Sequence, residues 1–256
     1  MEVTFISKGL YGKIYKVQLP NVKKPFVIKV GEYNDLRRDE KYHDFIYKTL
    51  PTSCKKYVPP LIKLSQNVTS ELFEVLKLSQ NDDVYIYAMK YIYGITLGNY
   101  FQFHTMSNAN KQPIINALSS NNNERTKLLR TRVPKNSIKK KVHQAMFCLW
   151  KIGIIHADLH LNNILIDEKY NIHLIDFGQT IQVNPLPAHV KITDVKSITY
   201  WFAKEWMNSE KDRVGATGNP NIKLFSNRIN LNYYATQHLP FIKDFLHGKS
   251  SSIKRV

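Results

Sequence analysis

Residues 156–166 read HADLHLNNILI. Two histidines, an aspartate and two asparagines stand between apolar runs. A helix-patterned segment, SIKKKVHQAMFCLWKIG, precedes them, with apolar positions at Val142, Met146, Leu149 and Trp150. A strand-like pair, NILIDEKYNIHLIDFG, follows around a turn. Three readings are open: a metal site, a polar turn between core elements, or a catalytic loop. His156 and His160 are four apart, the spacing of a zinc pair on a helix, yet the run enters a strand and no third ligand is evident.

If ILI and HLI pair as a hairpin, Asp158, Asn163 and Asp176 converge. Hard oxygen donors such as Asn163 and Asp176 suit Mg²⁺, which takes one or two protein ligands together with phosphate oxygens. Asp158 is then free to orient a hydroxyl and accept its proton. Such chemistry also needs cationic and backbone groups for phosphates. In ISKGLYGKIYKV, Gly9 and Gly12 allow a tight turn between strands with N–H groups facing an anion. In FVIKV, Lys29 interrupts an apolar strand, which costs free energy unless the ammonium meets an anion or snorkels to water.

The first 30 residues read as strands and Tyr33 to Leu50 as a helix, capped by Asn34 or Asp35 and ended by Pro51. YVPPLIKLSQN and SELFEVLKLSQNDDVYIYAMKYI suggest further strands, with Asn81-Asp82-Asp83 as a turn. Gly94 ends that run, and TLGNYFQF reads as a short helix. Residues 104–136, poor in aromatics and rich in Asn, Ser and basic residues, read as a partly mobile insertion. From Asp194 the chain reads as helical, with a loop near VGATGNPN. Strands first and helices later imply segregated lobes, not alternating βαβ units. The expected fold is α+β and bilobal, one domain over 1–256, with a small β-rich lobe at 1–90 and a helical lobe at 91–256.

Composition narrows the class. The chain has 256 residues and 43% apolar content, and no apolar stretch approaches the roughly 20 residues of a membrane helix. MEVTFISKGLYGK lacks the pattern of a signal peptide. Cys54 and Cys148 form neither a disulfide framework nor a zinc cluster. These readings point to a soluble intracellular, cytoplasmic protein, in which the sequon at Asn67 carries little meaning. The net charge of +17 favours polyanions, whether acidic protein surfaces, nucleic acid or nucleotide phosphates. The bland explanation is composition, since the charge is scattered outside Arg125 to Lys141. Lys139, Lys140 and Lys141 read as a solvated helix face, with a docking patch as the sharper alternative.

Taken in order, these pieces resemble the protein-kinase-like superfamily. SKGLYGKI looks like its Gly-rich loop with Ser7 in place of the first glycine. FVIKV looks like the strand of the ATP-binding lysine, HADLHLNN like the catalytic loop, and IDFG matches the metal-binding Asp-Phe-Gly. YAMKYIYG resembles the hinge, with Met89 behind the adenine and Lys90, Tyr91 and Ile92 beside it. The resemblance implies ATP contacts from Ile6, Ser7, Lys8, Gly9, Leu10, Tyr11, Gly12, Lys13 and Ile14, and α/β-phosphates on Lys29. Mg²⁺ (or Mn²⁺) would sit on Asn163 and Asp176, with Asp158 as base. Glu40 is the expected helix carboxylate orienting Lys29, with Asp39 and Asp44 as near alternatives. Asp194 resembles the aspartate that braces the catalytic loop, and His156 is expected to bridge backbone groups near Phe177.

The departures bear on the acceptor. Ala157 stands where many protein kinases have the arginine that pairs with a phosphorylated activation loop. His160 stands where Ser/Thr kinases carry lysine, and DLH looks like aminoglycoside phosphotransferases. The stretch from Asp176 to Asp194 is short and no Ala-Pro-Glu follows, as in RIO-like and compact viral enzymes. Size and composition fit a large-DNA-virus kinase acting in the virion or host cytoplasm. The resemblance thus implies transfer of the ATP γ-phosphoryl group to protein Ser or Thr. The tail KSSSIKRV reads as disordered, with its serines as candidate autophosphorylation sites. The alternatives are a small-molecule kinase of aminoglycoside-phosphotransferase type and a nucleotide-binding pseudokinase.

Overall fold

The computed structural model describes residues 1–9, 12–79, 83–119, 128–130, 132–194, 196–198, 200–202, 204–205 and 208–209. The Asn81-Asp82 turn, the VGATGNPN loop and the KSSSIKRV tail lie outside the described residues.

Five antiparallel strands open the chain, in the order β1-β2-β3-β5-β4. They are β1 (Glu2–Lys8), β2 (Lys13–Gln18), β3 (Phe26–Glu32), β4 (Leu61–Ile62) and β5 (Val84–Lys90). The register places Lys29 of β3 between Ile14 of β2 and Tyr87 of β5, and Val27 opposite Met89. A β1 irregularity between Phe5 and Ser7 shifts the pairing just before the Gly9 turn, where Gly9 N–H donates to Gly12 C=O at 2.8 Å. Gly12 is required for close approach, since a Cβ there would stand 2.5 Å from the Val30 carbonyl oxygen.

One face of the sheet buries Val17, Phe26, Ile28, Val30 and Ala88 against Leu72 of α2 (Gln66–Val75). The expectation of a strand through SELFEVL is therefore wrong. Ser65 caps a helix by accepting from Val68 N–H, and Val68, Leu72 and Leu76 recur every four residues to meet the sheet. The helix α1 (Tyr33–Thr49) forms where the sequence predicts it and stops at Leu50 before Pro51. Its N-cap is Glu32, without a side-chain cap bond, so neither Asn34 nor Asp35 caps it. Its buried residues Leu36, Asp39, His43 and Ile46 are spaced three, four and three apart, one helical face carrying two polar groups inward.

The second part is built on α3 (Leu97–Thr105), α4 (Asn108–Ser119) and α5 (Lys135–Lys151). Residues 104–136, read as an insertion, thus carry a helix over more than a third of their length. Val142, Met146, Leu149 and Trp150 of α5 are all buried, as the periodicity predicts. Two small sheets flank α5: β6 (Gly94–Thr96), β8 (Ile164–Asp167) and β9 (Ile172–Leu174) in the order β6-β8-β9, and β7 (Ile154–Ile155) paired with β10 (Ile181–Gln182). Ile46, Leu50, Tyr57 and Val58 from the first part pack into this larger core. A disulfide, Cys54–Cys148, fixes the same junction with Cα atoms 5.9 Å apart. The cysteine count gave no sign of it, because the two residues lie 94 positions apart. Among the described residues no helix is long and apolar enough to cross a membrane.

Candidate active site

The hairpin β8–β9 forms with Ile164 opposite Leu174, and it carries the two ends of the site. Ahead of β8 the catalytic-loop candidate turns sharply. Ala157 takes φ +59°, His160 N–H donates to Asp158 C=O at 3.1 Å, and a 3-10 turn covers Leu161–Asn163. After β9, Ile175 N–H donates to Asn163 C=O at 3.1 Å, which ties the second strand to that loop. Asp176 follows at φ +67°, a left-handed backbone that aspartate tolerates better than most residues with a Cβ.

Asn163 is buried and donates its amide Nδ2 to Asp158 twice, to the backbone oxygen at 2.9 Å and to Oδ2 at 3.1 Å. The amide group is thereby oriented, and its Oδ1 is left as the atom offered to a cation. Asp176 contributes carboxylate oxygens from the opposite strand end. Both line one cavity of about 860 Å³, together with Asp158 and Lys29. Two oxygen donors on the wall of one cavity fit a hard cation such as Mg²⁺. The histidines serve otherwise. His156 is buried, donates Nε2–H to the Ile175 carbonyl at 3.0 Å and lies 5.0 Å from the Phe177 ring at a tilt of 48°. Burial lowers its pKa, despite the carbonyl bond and the nearby Asp176 and Asp158. His160 is exposed at the rim of the same cavity, its Nδ1 accepting from Asn162 N–H and its Nε2 3.8 Å from Asp158 Oδ2. The two rings do not converge, so a shared zinc ion is unsupported.

Lys29 is 5% exposed on the central strand. Its Nζ lies 2.6 Å from Asp39 Oδ2 and 3.0 Å from Asp176 Oδ1. Burial alone would lower the lysine pKa, but the charges of Asp39 and Asp176 and the hydrogen bonds to both outweigh it, and the net shift is upward. The helix carboxylate at Lys29 is therefore Asp39 and not Glu40. Glu40 turns to the edge of β5 and accepts from Tyr85 O–H. Asp44, the other alternative, pairs with Lys48 on the exposed face at 2.6 Å. The phase of α1 explains the choice. Asp39 shares the stripe of His43, Ile46 and Leu50, while Glu40 is rotated off it.

Asp39 is 1% exposed and is satisfied by three donors. Lys29 Nζ and Tyr87 O–H both reach Oδ2 at 2.6 Å, and Phe177 N–H reaches Oδ1 at 2.7 Å. Beside them His43 is fully buried, with Nε2 bonded to the Pro59 carbonyl and its ring 5.1 Å from Phe177. Phe177 thus lies between two histidine rings. The sequence reading missed Tyr87 and His43. The heptad-like spacing of α1 could have found His43, and the alternation of Tyr85, Tyr87 and Met89 on β5 could have found Tyr87.

Of the expected nucleotide contacts, Ile6, Ser7, Lys8, Gly9 and Ile14 line the cavity, as do Met89, Lys90, Tyr91 and Ile92 on the connecting segment. Gly12 and Lys13 are not on its wall, and Leu10 and Tyr11 lie outside the described residues. Asp194 does not brace the catalytic loop. It is exposed and caps the following helix, accepting from Ser197 N–H at 3.1 Å.

Comparison with protein-family models matches residues 2–249 to the protein kinase domain. A probable serine/threonine-protein kinase of Dictyostelium discoideum is 25% identical over 181 residues, 68% of this chain and 30% of that protein. The matched part is therefore under a third of that relative's length.

Proposed function

The chain belongs to the protein kinase family, and on that premise we propose that it transfers the γ-phosphoryl group of ATP to serine or threonine hydroxyls of a protein. One observation carries this reading: Lys29, Asp158, Asn163 and Asp176, distant in sequence, line the same cavity. Further support comes from the relative, whose name describes a serine/threonine-protein kinase.

ATP would lie under Ile6 to Gly9, with its base against Met89, Lys90, Tyr91 and Ile92. Asn163 Oδ1 and Asp176 are the atoms that would hold Mg²⁺, which when bound neutralises charge on the phosphates. Lys29 presents its ammonium to the same phosphates, and Asp39 holds that ammonium in place. Asp158 accepts a hydrogen bond from the acceptor hydroxyl, orients it toward the phosphorus and takes its proton. The NH₂ of Asn163 on Asp158 Oδ2 fixes which carboxylate oxygen faces the acceptor. One catalytic domain spans 1–256 in this reading, with its lobes meeting near residue 90.

A second reading keeps the chemistry and changes the acceptor to a small molecule. Ala157 and His160 favour it, since they stand where the resemblance leads one to expect arginine and lysine beside a peptide acceptor. Purified protein with Mg-ATP, offered generic acidic and basic proteins and then sugars and aminoglycosides, separates the two. Label on protein serine or threonine supports the first reading, and label on small molecules alone supports the second. Nucleotide binding without any transfer identifies a pseudokinase. The excess positive charge supports an acidic protein partner, with nucleic acid as a weaker option tested by salt-dependent binding. An intracellular setting is also part of the proposal, although the Cys54–Cys148 bridge is more at home in an oxidising compartment.

A further inference from the structure

Asp39 is one methylene shorter than the glutamate first expected to meet Lys29, and it is not left to hold the lysine alone. The strand register places Tyr87 directly opposite Lys29 on neighbouring strands. Directly opposed residues share a face of the sheet and their side chains run together. Here both end on the same atom, with Lys29 Nζ and Tyr87 O–H each 2.6 Å from Asp39 Oδ2. The other oxygen is fixed by Phe177 N–H. Tyr87 is fully buried, and burial first, then the charge and hydrogen bond of Asp39, push its hydroxyl well above the usual tyrosine range. The hydroxyl therefore stays protonated and has a single proton to donate, which goes to Asp39.

A buried carboxylate is tolerated only where donors saturate it, and each of these three donors comes from a different element. Lys29 comes from β3, Tyr87 from β5 and Phe177 from the turn after β9. Removing the tyrosine hydroxyl leaves Asp39 Oδ2 with the lysine alone, so the carboxylate that holds the ammonium loses one of the three donors that fix it. We propose that Tyr87 is a positioning residue for the reaction: its hydroxyl fills the space a longer carboxylate would need and locks Asp39, and through it Lys29, in the phosphate-facing geometry. This inference rests on the reading of Lys29 as the nucleotide lysine.

The test is a four-member cycle: wild type, Tyr87→Phe, Asp39→Glu and the double variant, each measured for kcat/KM with Mg-ATP and for Tm. Tyr87→Phe should lower kcat/KM about ten-fold, the effect of one hydrogen bond to a charged group. Asp39→Glu alone should be at least as damaging, because the longer side chain meets the Tyr87 hydroxyl. The double variant should exceed both, since the vacated hydroxyl space accepts the extra methylene and the carboxylate regains Lys29. A merely structural role for the hydroxyl predicts additive losses instead. Wild-type rates for Tyr87→Phe, or a double variant no better than Asp39→Glu, overturn the proposal. The second comparison decides even if the Tyr87→Phe chain fails to fold. If wild type turns nothing over, the phosphotransfer reading is what fails, and the same ordering is then read in Kd for ATP.

Discussion

Lys29 and Asp39 form a buried ion pair at 2.6 Å between β3 and α1, with both side chains under one-tenth exposed. Its neighbour in sequence, Glu40, makes no such contact and bonds Tyr85 instead. Asp39→Asn should therefore lower kcat/KM at least ~100-fold, and stability by about 1–3 kcal/mol, because it leaves the buried ammonium with Asp176 as its one remaining carboxylate. Glu40→Gln should keep activity within about twofold, because the amide oxygen can still accept from Tyr85 O–H and neither group touches Lys29. Steady-state kinetics and urea denaturation on the two variants check both statements. Equal losses would return the role to Glu40.

Acid should destabilise the fold well before the carboxylates titrate. Burial lowers the pKa of His43 and His156, and of His143 to about 4. A histidine held neutral in the fold contributes stability that is fully present above its unfolded pKa of roughly 6.5. The contribution declines as pH falls toward the folded value, because the unfolded chain then binds more protons. For His143, which is incompletely buried, the loss between pH 6.5 and 4 should be on the order of 1–2 kcal/mol after solvent screening. Urea midpoints from pH 8 to 4.5 should fall below pH 6.5, and His143→Gln should flatten part of that slope.

The Cys54–Cys148 bridge should be a stabilising staple at the junction of the two cores. It closes a loop with a sequence separation of 94, for which constraint of the unfolded chain gives about 2–5 kcal/mol. Reduction with dithiothreitol, or Cys148→Ala, should lower Tm by several degrees. Unchanged melting after complete reduction would show that packing of Ile46, Leu50 and Val58 against α5 suffices.

Much of this site was legible before any coordinates, and the reason is local chemistry. Lys29 in an apolar strand, Asp158 and Asn163 five apart, and Asp176 before Phe177 are each unusual in their own setting, so their order along the chain could be read. What escaped depends on phase and distance. Choosing Asp39 over Glu40 requires knowing which stripe of α1 faces inward, and two adjacent carboxylates look alike until Ile46 and Leu50 fix the phase. SELFEVL reads as a strand because its apolar residues cluster, and only the four-residue recurrence through Leu76 shows the helix. Asp194 is assigned by resemblance alone, and its carboxylate instead meets an orphan amide of its own helix, that of Ser197. Tyr87 and the disulfide are long-range partnerships, set by strand register and by lobe packing, to which no short window of sequence is sensitive.

The central claim is that Asp158 works on an acceptor hydroxyl in a Mg-ATP-dependent transfer. The direct measurement is phosphosite mapping after incubation of wild type and Asp158→Ala with Mg-ATP and a generic protein substrate. The account predicts phosphoserine or phosphothreonine with wild type, a loss of at least ~100-fold with Asp158→Ala, and unchanged Tm and nucleotide binding. Transfer that survives Asp158→Ala in a folded, ATP-binding protein would contradict it.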